Sequence, residues 1–504
     1  MTTIVQEGRA KLVVDNEAET ESFYNPVMQF NRDLTVTVMR QFVADRSDDQ
    51  PDDISEEAEK RPKKKWYNSG PVRVLDALSA TGLRAIRFAQ EVPEIQKIVA
   101  NDFSESSVKN IKRNVAENGL ENLIEVNCDD AKLLMMKHTS YSTRFHIVDL
   151  DPYGTAAPFL DAAVQSVADG GLLMVTCTDM AVLCGNAPEA CFLKYKSTAL
   201  KHSANHEMAL RILVRAIDAH ANVYGRYVEP VLSVSIDYYI RVFVKVFTSP
   251  SKAKLSAARV ANVLACTGCK AFELIPILKT TDVGNKITKF TPTVLKPKIT
   301  GEDGKCRHCD SALHLGGPIY SAPIQDKKFL EKLLEKIEKT PVEERLGTHE
   351  RLKGILTVIS EELHDQPLYL IRDTVMSAVK ATCVKQTVFH SIVLNAGYKI
   401  SNTHCNPKGF KTDAPMDFIL DIARSMVEED KVKSLNQLGQ AIMAKGVSHV
   451  IDQKHNPQSV PESVRQGLVR YQCNHGKSWG PKTKAKGSVH GVAPVKRFKL
   501  DEDS

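Results

Sequence analysis

No apolar run among the 504 residues approaches the length of a membrane-spanning helix, and residues 1–25 lack the apolar core of a secretory signal. That opening stretch instead carries Glu7, Asp15, Glu17, Glu19 and Glu21, which argues against a mitochondrial presequence, since such segments are poor in acids. An intracellular protein with no membrane partner is the expectation. Glycine-rich phosphate cradles are missing too. The small-residue turn at Ser79-Ala80-Thr81-Gly82 has neither the full Gly-x-Gly-x-x-Gly pattern nor the Lys-Ser/Thr of a phosphate-binding loop, which speaks against dinucleotides and nucleoside triphosphates. A strong excess of one charge is also absent: 67 Lys and Arg against 61 Asp and Glu leave +6, a modest bias towards anionic partners such as nucleic acid. The 11 cysteines, odd in number and irregularly spaced, do not make a disulfide framework and fit reduced thiols with one metal site. There is no internal repeat. What is present, 42% hydrophobic and 25% charged, is the make-up of an ordinary globular protein long enough for roughly two to four domains.

The chemistry gathers at residues 145–154. Ile147, Val148 and Leu150 suit a buried strand, and Asp151-Pro152-Tyr153-Gly154 ends it, because proline and glycine do not continue a strand. In an open α/β sheet ligands sit outside the carboxyl ends of the strands, so this strand would deliver an acid, a rigid carbonyl and an aromatic ring to such a site. Asp151 and the Pro152 carbonyl can accept hydrogen bonds from an exocyclic amine while Tyr153 stacks on its ring. The same residue types also build ordinary surface turns, so the motif gains weight only from its surroundings.

Those surroundings repeat one pattern. Val72 to Arg84 reads as strand, small-residue turn and helix start, which lets backbone amides approach a ligand closely. A second strand, Ile98 to Ala100, ends at Asn101-Asp102, where the acid can accept from ribose hydroxyls. Helix 106–118 and strand 124–127 lead to Cys128-Asp129-Asp130-Ala131, a second acidic strand end that could meet an adenine amine. An adenosyl cofactor without phosphates fits this set. Helix 156–167, a turn at Asp169-Gly170-Gly171 and strand 172–177 follow, so five strands alternate with helices and imply a parallel, doubly wound sheet. Residues 199–224 read as a long helix whose His202 and His206 have metal-ligand spacing but no acid or cysteine nearby, and are expected to be solvated. Val228 to Ser235 and Tyr239 to Phe247 predict a hairpin that closes the sheet with an antiparallel edge. Ahead of the sheet, residues 23–33 form a lead-in to a helix from Leu34 to Val43, and Arg32 is either a clamp for a carboxylate or phosphate or a surface charge. Residues 46–69, acidic and then basic at Lys63 to Lys65, read as a disordered insertion.

Beyond Ser249 two Cys-x-x-Cys knuckles appear, Cys266/Cys269 and Cys306/Cys309, each able to offer two thiolates to a tetrahedral zinc. Roughly 36 residues separate them, more than the zinc-ribbon gap of about 15–20. A closed structural zinc site is the favoured reading against four unrelated thiols, with His308 and His314 as substitute ligands. Residues 286–298, rich in lysine, predict a hairpin facing phosphates. Helical patterns run over 327–339, 345–362, 367–380 and 386–396; the last pair, with a strand at 398–402 and the basic run 407–412, resembles a helix pair with a wing, a shape that can lie on a nucleic-acid backbone, or else a plain packing domain. A last helix runs from Ala414-Pro415 to 428, and residues 471–504 read as a disordered basic tail whose Pro494 to Asp501 would suit nuclear import.

Taken in order, Phe23-Tyr24-Asn25-Pro26, Asn31-Arg32-Asp33, Leu78 to Arg84, Asn101-Asp102, Asp149 to Gly154, Thr176 to Met180, Cys184-Gly185, Arg226-Tyr227, both knuckles, Gly316 to Pro318 and Lys411 to Pro415 resemble the tRNA guanine-26 N2-dimethyltransferase family. The resemblance implies a class I methyltransferase sheet with an antiparallel edge followed by a zinc-containing α+β domain. It implies an N-terminal segment at 1–22, a methyltransferase domain over 23–249, a tRNA-binding domain over 250–470 and a tail from 471. S-adenosylmethionine would donate methyl groups to N2 of a guanine in tRNA, with Arg32, Arg84, Asp102, Asp130 and Ala131 binding the cofactor. Asp151, with Pro152 and Tyr153, would hold the acceptor, and Cys266, Cys269, Cys306 and Cys309 would hold zinc. No covalent cysteine step is required, and the target base would be extruded from its stack. No obligate protein partner is evident; nuclear residence is expected, with cytoplasm or mitochondria open. The rivals are an adenine-N6 methyltransferase and a non-catalytic RNA-binding protein.

Overall fold

The computed structural model describes residues 2–15, 24–48, 71–283, 288–427 and 434–471. A hairpin, β1 (Thr2–Glu7) and β2 (Ala10–Asp15), precedes helix α1 (Gln29–Asp48). The main sheet then begins with β3 (Val72–Asp76), α2 (Leu83–Glu91), β4 (Ile95–Asp102), α3 (Glu105–Glu117), β5 (Ile124–Cys128), α4 (Ala131–Lys137) and β6 (Phe145–Leu150). It continues through α5 (Leu160–Ser166), β7 (Val167–Cys177), the short α6 (Met180–Leu183), α7 (Pro188–Tyr195), α8 (Asn205–Val223), β8 (Arg226–Ile236) and β9 (Tyr239–Thr248).

Seven strands pair in the order β5-β4-β3-β6-β7-β9-β8. The first five are parallel, and β9 runs antiparallel to both β7 and β8. This is the expected doubly wound sheet with an antiparallel edge. Its central strands are covered on both faces, which is why they read as apolar runs instead of alternating; all six residues of β6 are buried. One face is packed by α4, α5 and α8, the other by α1, α2 and α3. Because β4 flanks β3 on one side and β6 flanks it on the other, the chain direction of winding reverses between β3 and β6. A crevice at their carboxyl ends is the consequence.

The rest of the chain adds α9 (Pro250–Leu255), a small sheet of β10 (Val260–Cys266), β11 (Phe272–Pro276) and β14 (Leu313–Tyr320), and the hairpin β12 (Leu278–Asp282) with β13 (Thr288–Pro292). Helices α10 (Lys327–Lys339) and α11 (His349–Glu361) bury Phe329, Leu330, Leu352 and Ile355 in the same cluster as Phe30 and Leu34 of α1. A third core gathers the four knuckle cysteines with α12 (Arg372–Ser377), α13 (Gln386–Asn395) and α14 (Met416–Ser425). Strands β15 (Leu370–Ile371), β16 (Ile400–Thr403) and β17 (Asn406–Thr412) form the wing beside α13. Among the described residues no helix is long and apolar enough to cross a membrane.

Several local expectations are corrected. Asp169-Gly170-Gly171 is not a turn but part of β7. There β7 advances from Val167 to Leu172 while β6 advances from Phe145 to Ile147, so the glycines serve a bulge, with Gly170 at φ +70. Helix α5 starts only at Leu160, after a 3₁₀ turn at Ala157–Phe159. Helix α8 starts at Asn205, because Thr198 bridges to Gly317 first. His202 and His206 are not solvated: His202 Nε2 lies 2.9 Å from the Lys270 carbonyl, and His206 Nδ1 lies 3.1 Å from Ser235 Oγ. Residues 367–380 are helical only over α12, since Leu370 and Ile371 pair with β17. The hairpin expected at 286–298 spans 278–292. Helix α1 continues to Asp48, past the expected start of the insertion; the remainder of 49–69, Lys286 and residues 472–504 with their basic cluster lie outside the described residues.

Candidate active site

Asp151 stands immediately beyond β6, at the crevice. Arg84, in the first turn of α2, pairs with Asp151 Oδ2 and reaches Asp149 Oδ2 at 3.4 Å. Arg241 of β9 lies 2.8 Å from Asp149 Oδ1, and its other amino group donates to Thr176 Oγ1. The Asp149 side chain is fully buried, whereas that of Asp151 keeps 19% exposure, so of the two acids Asp151 remains open to a ligand. Burial alone would raise the Asp151 carboxyl, but Arg84 and Arg241 outweigh it and hold the group below the ordinary carboxylate range. The acid is therefore ionised and acts as an acceptor only. Burial opposes the Arg84 charge, yet Asp151, Asp149 and Asp76 together keep its guanidinium more firmly protonated than usual.

The residues after Asp151 are fixed from the neighbouring strand. Gly154 N donates to Thr178 Oγ1 and the Thr178 amide donates back to the Gly154 carbonyl, both at 2.8 Å. Gly154 sits at φ +80, in the left-handed region that suits glycine. Pro152 is buried and Tyr153 is 41% exposed, an aromatic face at the mouth of the crevice. Tyr195 of α7 ties the loop down further, with its hydroxyl 2.7 Å from Thr155 Oγ1 and 2.9 Å from Asp179 Oδ1. Burial pushes the thiols of Cys177 and Cys184 up to about 12, so neither offers a ready nucleophile.

The other strand ends converge as expected. Asp102 closes β4, and its two carboxylate oxygens accept from Ala80 N and Ser104 N at 3.0 Å each. This holds the acid against the β3–α2 turn, where Ala80 and Gly82 both have positive φ. Asn101 staples three strand ends together: its amide donates to the Ala77 and Asp129 carbonyls, and its oxygen accepts from Asn127. Asp130 caps α4 by accepting from Lys132 N at 2.8 Å, and Ala131 opens that helix. Arg32 is placed differently from the rest. Its fork is occupied by Glu7 and the Asn25 carbonyl, beside Arg87, which itself holds Glu7, Asp33 and Glu91.

Three participants escaped the sequence reading. Arg241 has no signal of its own in the hairpin pattern of residues 239–247, although a fully buried arginine in an apolar strand must have an acid to meet. Phe103, 53% exposed, directly follows Asp102 and offers a ring beside it. Among the described residues Asn31 donates nothing from its buried Nδ2, while its Oδ1 accepts from Arg84 at 2.9 Å. An unspent donor beside an arginine suits a ligand oxygen. Together with carboxylates at the β4 and β5 ends and no phosphate cradle, this donor set fits an adenosyl amino acid.

The four knuckle cysteines meet although they are far apart in sequence. All are buried, their sulfurs lie within 4.8 Å of one another, and the Cys266–Cys309 and Cys269–Cys306 separations are 3.3 and 3.7 Å. Four thiolates about 2.3 Å from a tetrahedral zinc would stand about 3.8 Å apart, so the set fits a closed structural zinc. His308 Nδ1 lies 3.0 Å from Asp417 and His314 is exposed on β14, so neither joins it.

A doubly wound sheet with acidic strand ends around such a crevice defines the S-adenosylmethionine-dependent methyltransferases of the α/β class. The family model for N2,N2-dimethylguanosine tRNA methyltransferase matches residues 2–424, and the chain belongs to that family. It is 46% identical over 500 residues to the tRNA (guanine(26)-N(2))-dimethyltransferase of Caenorhabditis elegans, covering 97% of this chain and 94% of that protein. It is 35% identical to the Saccharomyces cerevisiae protein named tRNA (guanine(26)-N(2))-dimethyltransferase, mitochondrial, covering 95% and 92%. The solved complex of Trm1 from Pyrococcus horikoshii with S-adenosyl-L-methionine superposes with a TM-score of 0.66 at 29% identity, covering 83% of this chain and 99% of that one.

Proposed function

We propose that this chain transfers one or two methyl groups from S-adenosylmethionine to the exocyclic N2 of guanine 26 in tRNA. The observation that carries the reading is the Asp151 carboxylate, held ionised by Arg84 at the crevice and followed by a rigid carbonyl and a half-exposed aromatic ring. The guanine amine is a poor nucleophile because its lone pair is delocalised into the ring. Asp151 and the Pro152 carbonyl accept its N–H bonds and so turn the lone pair out of conjugation, while Tyr153 stacks on the base. The bound cofactor supplies an electrophilic methyl group. Position and electrostatics are then the protein's contribution, and extruding the base costs a few kcal/mol that pocket contacts offset.

On this reading Asp102 takes the ribose hydroxyls, Asp130 and Ala131 meet the adenine with Phe103 on its face, and Arg84 and Asn31 address the amino-acid portion. Arg32 contributes its charge from behind Asn25. A methyltransferase domain over 23–249 and a tRNA-binding domain over 250–470, with zinc fixing the latter's core, are part of the same proposal. So are a nuclear site of action, independence from an obligate protein partner, and a mitochondrial pool, which the relative named as mitochondrial supports. The test incubates the protein and labelled S-adenosylmethionine with unmodified tRNA carrying guanine or adenine at position 26, then identifies the nucleosides. N2-methylated guanosines with guanine alone are expected. Methyl on adenine N6 would overturn the acceptor, and binding without transfer would overturn catalysis.

A further inference from the structure

The buried charges at the ends of β3 and β6 do not balance. Three carboxylates, Asp76, Asp149 and Asp151, share two guanidiniums, Arg84 and Arg241. Arg84 pairs with Asp149 and Asp151, and Arg241 pairs with Asp149, so both cations are engaged by acids of β6 and its loop. Asp76, the last residue of β3 and 1% exposed, has instead the Ser79 hydroxyl, which donates to its Oδ2 at 2.6 Å. No ion pair to Asp76 occurs among the described residues. Asp102 of β4, across the turn, keeps both oxygens on backbone amides. One hydroxyl is a weak counterpart for a buried carboxylate. Burial, then repulsion from Asp149, with Asp151 adding to it, pushes Asp76 up to about 7 despite the Ser79 hydrogen bond and the Arg84 charge.

We propose that Asp76 makes the crevice a receptor for the cationic form of the cofactor: it completes a surplus negative charge that the sulfonium neutralises and the thioether product does not. The inference rests on the cofactor reading above and adds a selection rule to it. When Asp76 is protonated the cluster is neutral and discriminates little between the two ligands. When it is ionised the cation is preferred, so binding the cation expels a proton. In methyl transfer the C–S bonding pair stays on sulfur, the amine lone pair forms the C–N bond, and one N–H proton leaves to solvent. The sulfur ligand is then neutral, Asp76 takes up a proton from solvent, and the grip on the spent cofactor weakens. Asp76 is a positioning residue in this scheme, selecting charge without touching the acceptor.

Calorimetric titration of the full chain with S-adenosylmethionine and with S-adenosylhomocysteine, from about pH 5.5 to 7.5, reads this directly. The affinity for the sulfonium should rise about tenfold across the window, within the limit of one decade per pH unit for one linked proton, while the thioether stays within about twofold. Buffers of different ionisation enthalpy should reveal proton release with the sulfonium only. Asp76→Asn, which keeps an acceptor for Ser79, should flatten both profiles and cut the preference for the sulfonium about tenfold. Parallel wild-type profiles for the two ligands overturn the inference without any variant, and so does a wild-type profile in Asp76→Asn. A chain that binds neither ligand overturns the cofactor reading and this inference with it.

Discussion

Where α8 meets β17, Lys411 lies 3.1 Å from Glu207 and 3.0 Å from Glu362, His404 donates to Glu362 and Arg211 to Glu207; where β3 and β6 end, three carboxylates share two arginines. The first cluster is closed. Its side chains are no more than 4% exposed, and every acid has cations on it. Burial would raise Glu207 and Glu362, but Lys411, with Arg211 at one and His404 at the other, holds both below the ordinary range. The second is short of positive charge and opens at Asp151. A compensated cluster joins pieces of chain, here α8 to the segment carrying α11, β16 and β17. An under-compensated one at a strand end leaves room for a cation from outside.

The largest expected effect separates the two by function. Asp151→Ala, and the closer mimic Asp151→Asn, should lower methyl transfer by about 10³-fold, since the variant loses the ionised acceptor for the amine. Affinity for S-adenosylhomocysteine, which carries no charge on sulfur, should stay within about threefold in the same proteins. Single-turnover transfer beside a binding isotherm makes the measurement, and retained turnover would remove Asp151 from the reaction.

Next comes the closed cluster. Lys411→Met leaves two buried carboxylates facing each other and should cost about 3–5 kcal/mol in denaturant unfolding. Its pH signature is the reverse of that at Asp76. Lowered glutamates contribute stability that is fully present above their unfolded value near 4.5 and is lost as pH falls through their depressed folded values. A carboxyl raised to about 7 instead makes the fold less stable as pH climbs towards 7, and that penalty is absent in acid. Lys411→Met should therefore cost most above about pH 5 and little in strong acid. A cost independent of pH would mean that the junction is held by packing and not by charge.

The strand-end acids around the open cluster were legible in the sequence, whereas Asp76 and Arg241 within it, and the whole closed cluster, were not. Asp151-Pro152-Tyr153-Gly154, Asp102 and Asp130 each sit at a strand end, and strand ends are readable because apolar runs stop there. Glu207, Glu362, His404 and Lys411 come from four separate elements, with spacings set only by how α8, α11 and the wing pack. The knuckles lay between these extremes: their local spacing announced metal, but their meeting across roughly 36 residues depended on β10 pairing with β14. Arg32 could be read as a carboxylate clamp or as a surface charge; it is buried, and the carboxylate in its fork is Glu7, from a hairpin no pattern announced. The glycines of β7 misled because a bulge and a turn ask for the same residue.

The smallest effect probes the rim of the open cluster. Phe103 is 53% exposed, beside the acid assigned to the ribose, so nothing in the fold depends on its ring. Phe103→Ala should leave unfolding within about 0.5 kcal/mol of the parent, as surface substitutions do. The loss of a stacked face of about 0.5–1.5 kcal/mol should weaken cofactor binding by roughly two- to tenfold, equally for the sulfonium and the thioether. That equality is the informative part. An adenine contact cannot sense charge on sulfur, whereas Asp76 can, so the ratio of the two affinities must stay fixed in Phe103→Ala while it moves in Asp76→Asn. A ratio that shifted in both would mean that the strand-end charges and the rim respond as one unit, and the division between a charge-selecting floor and a stacking edge would fall.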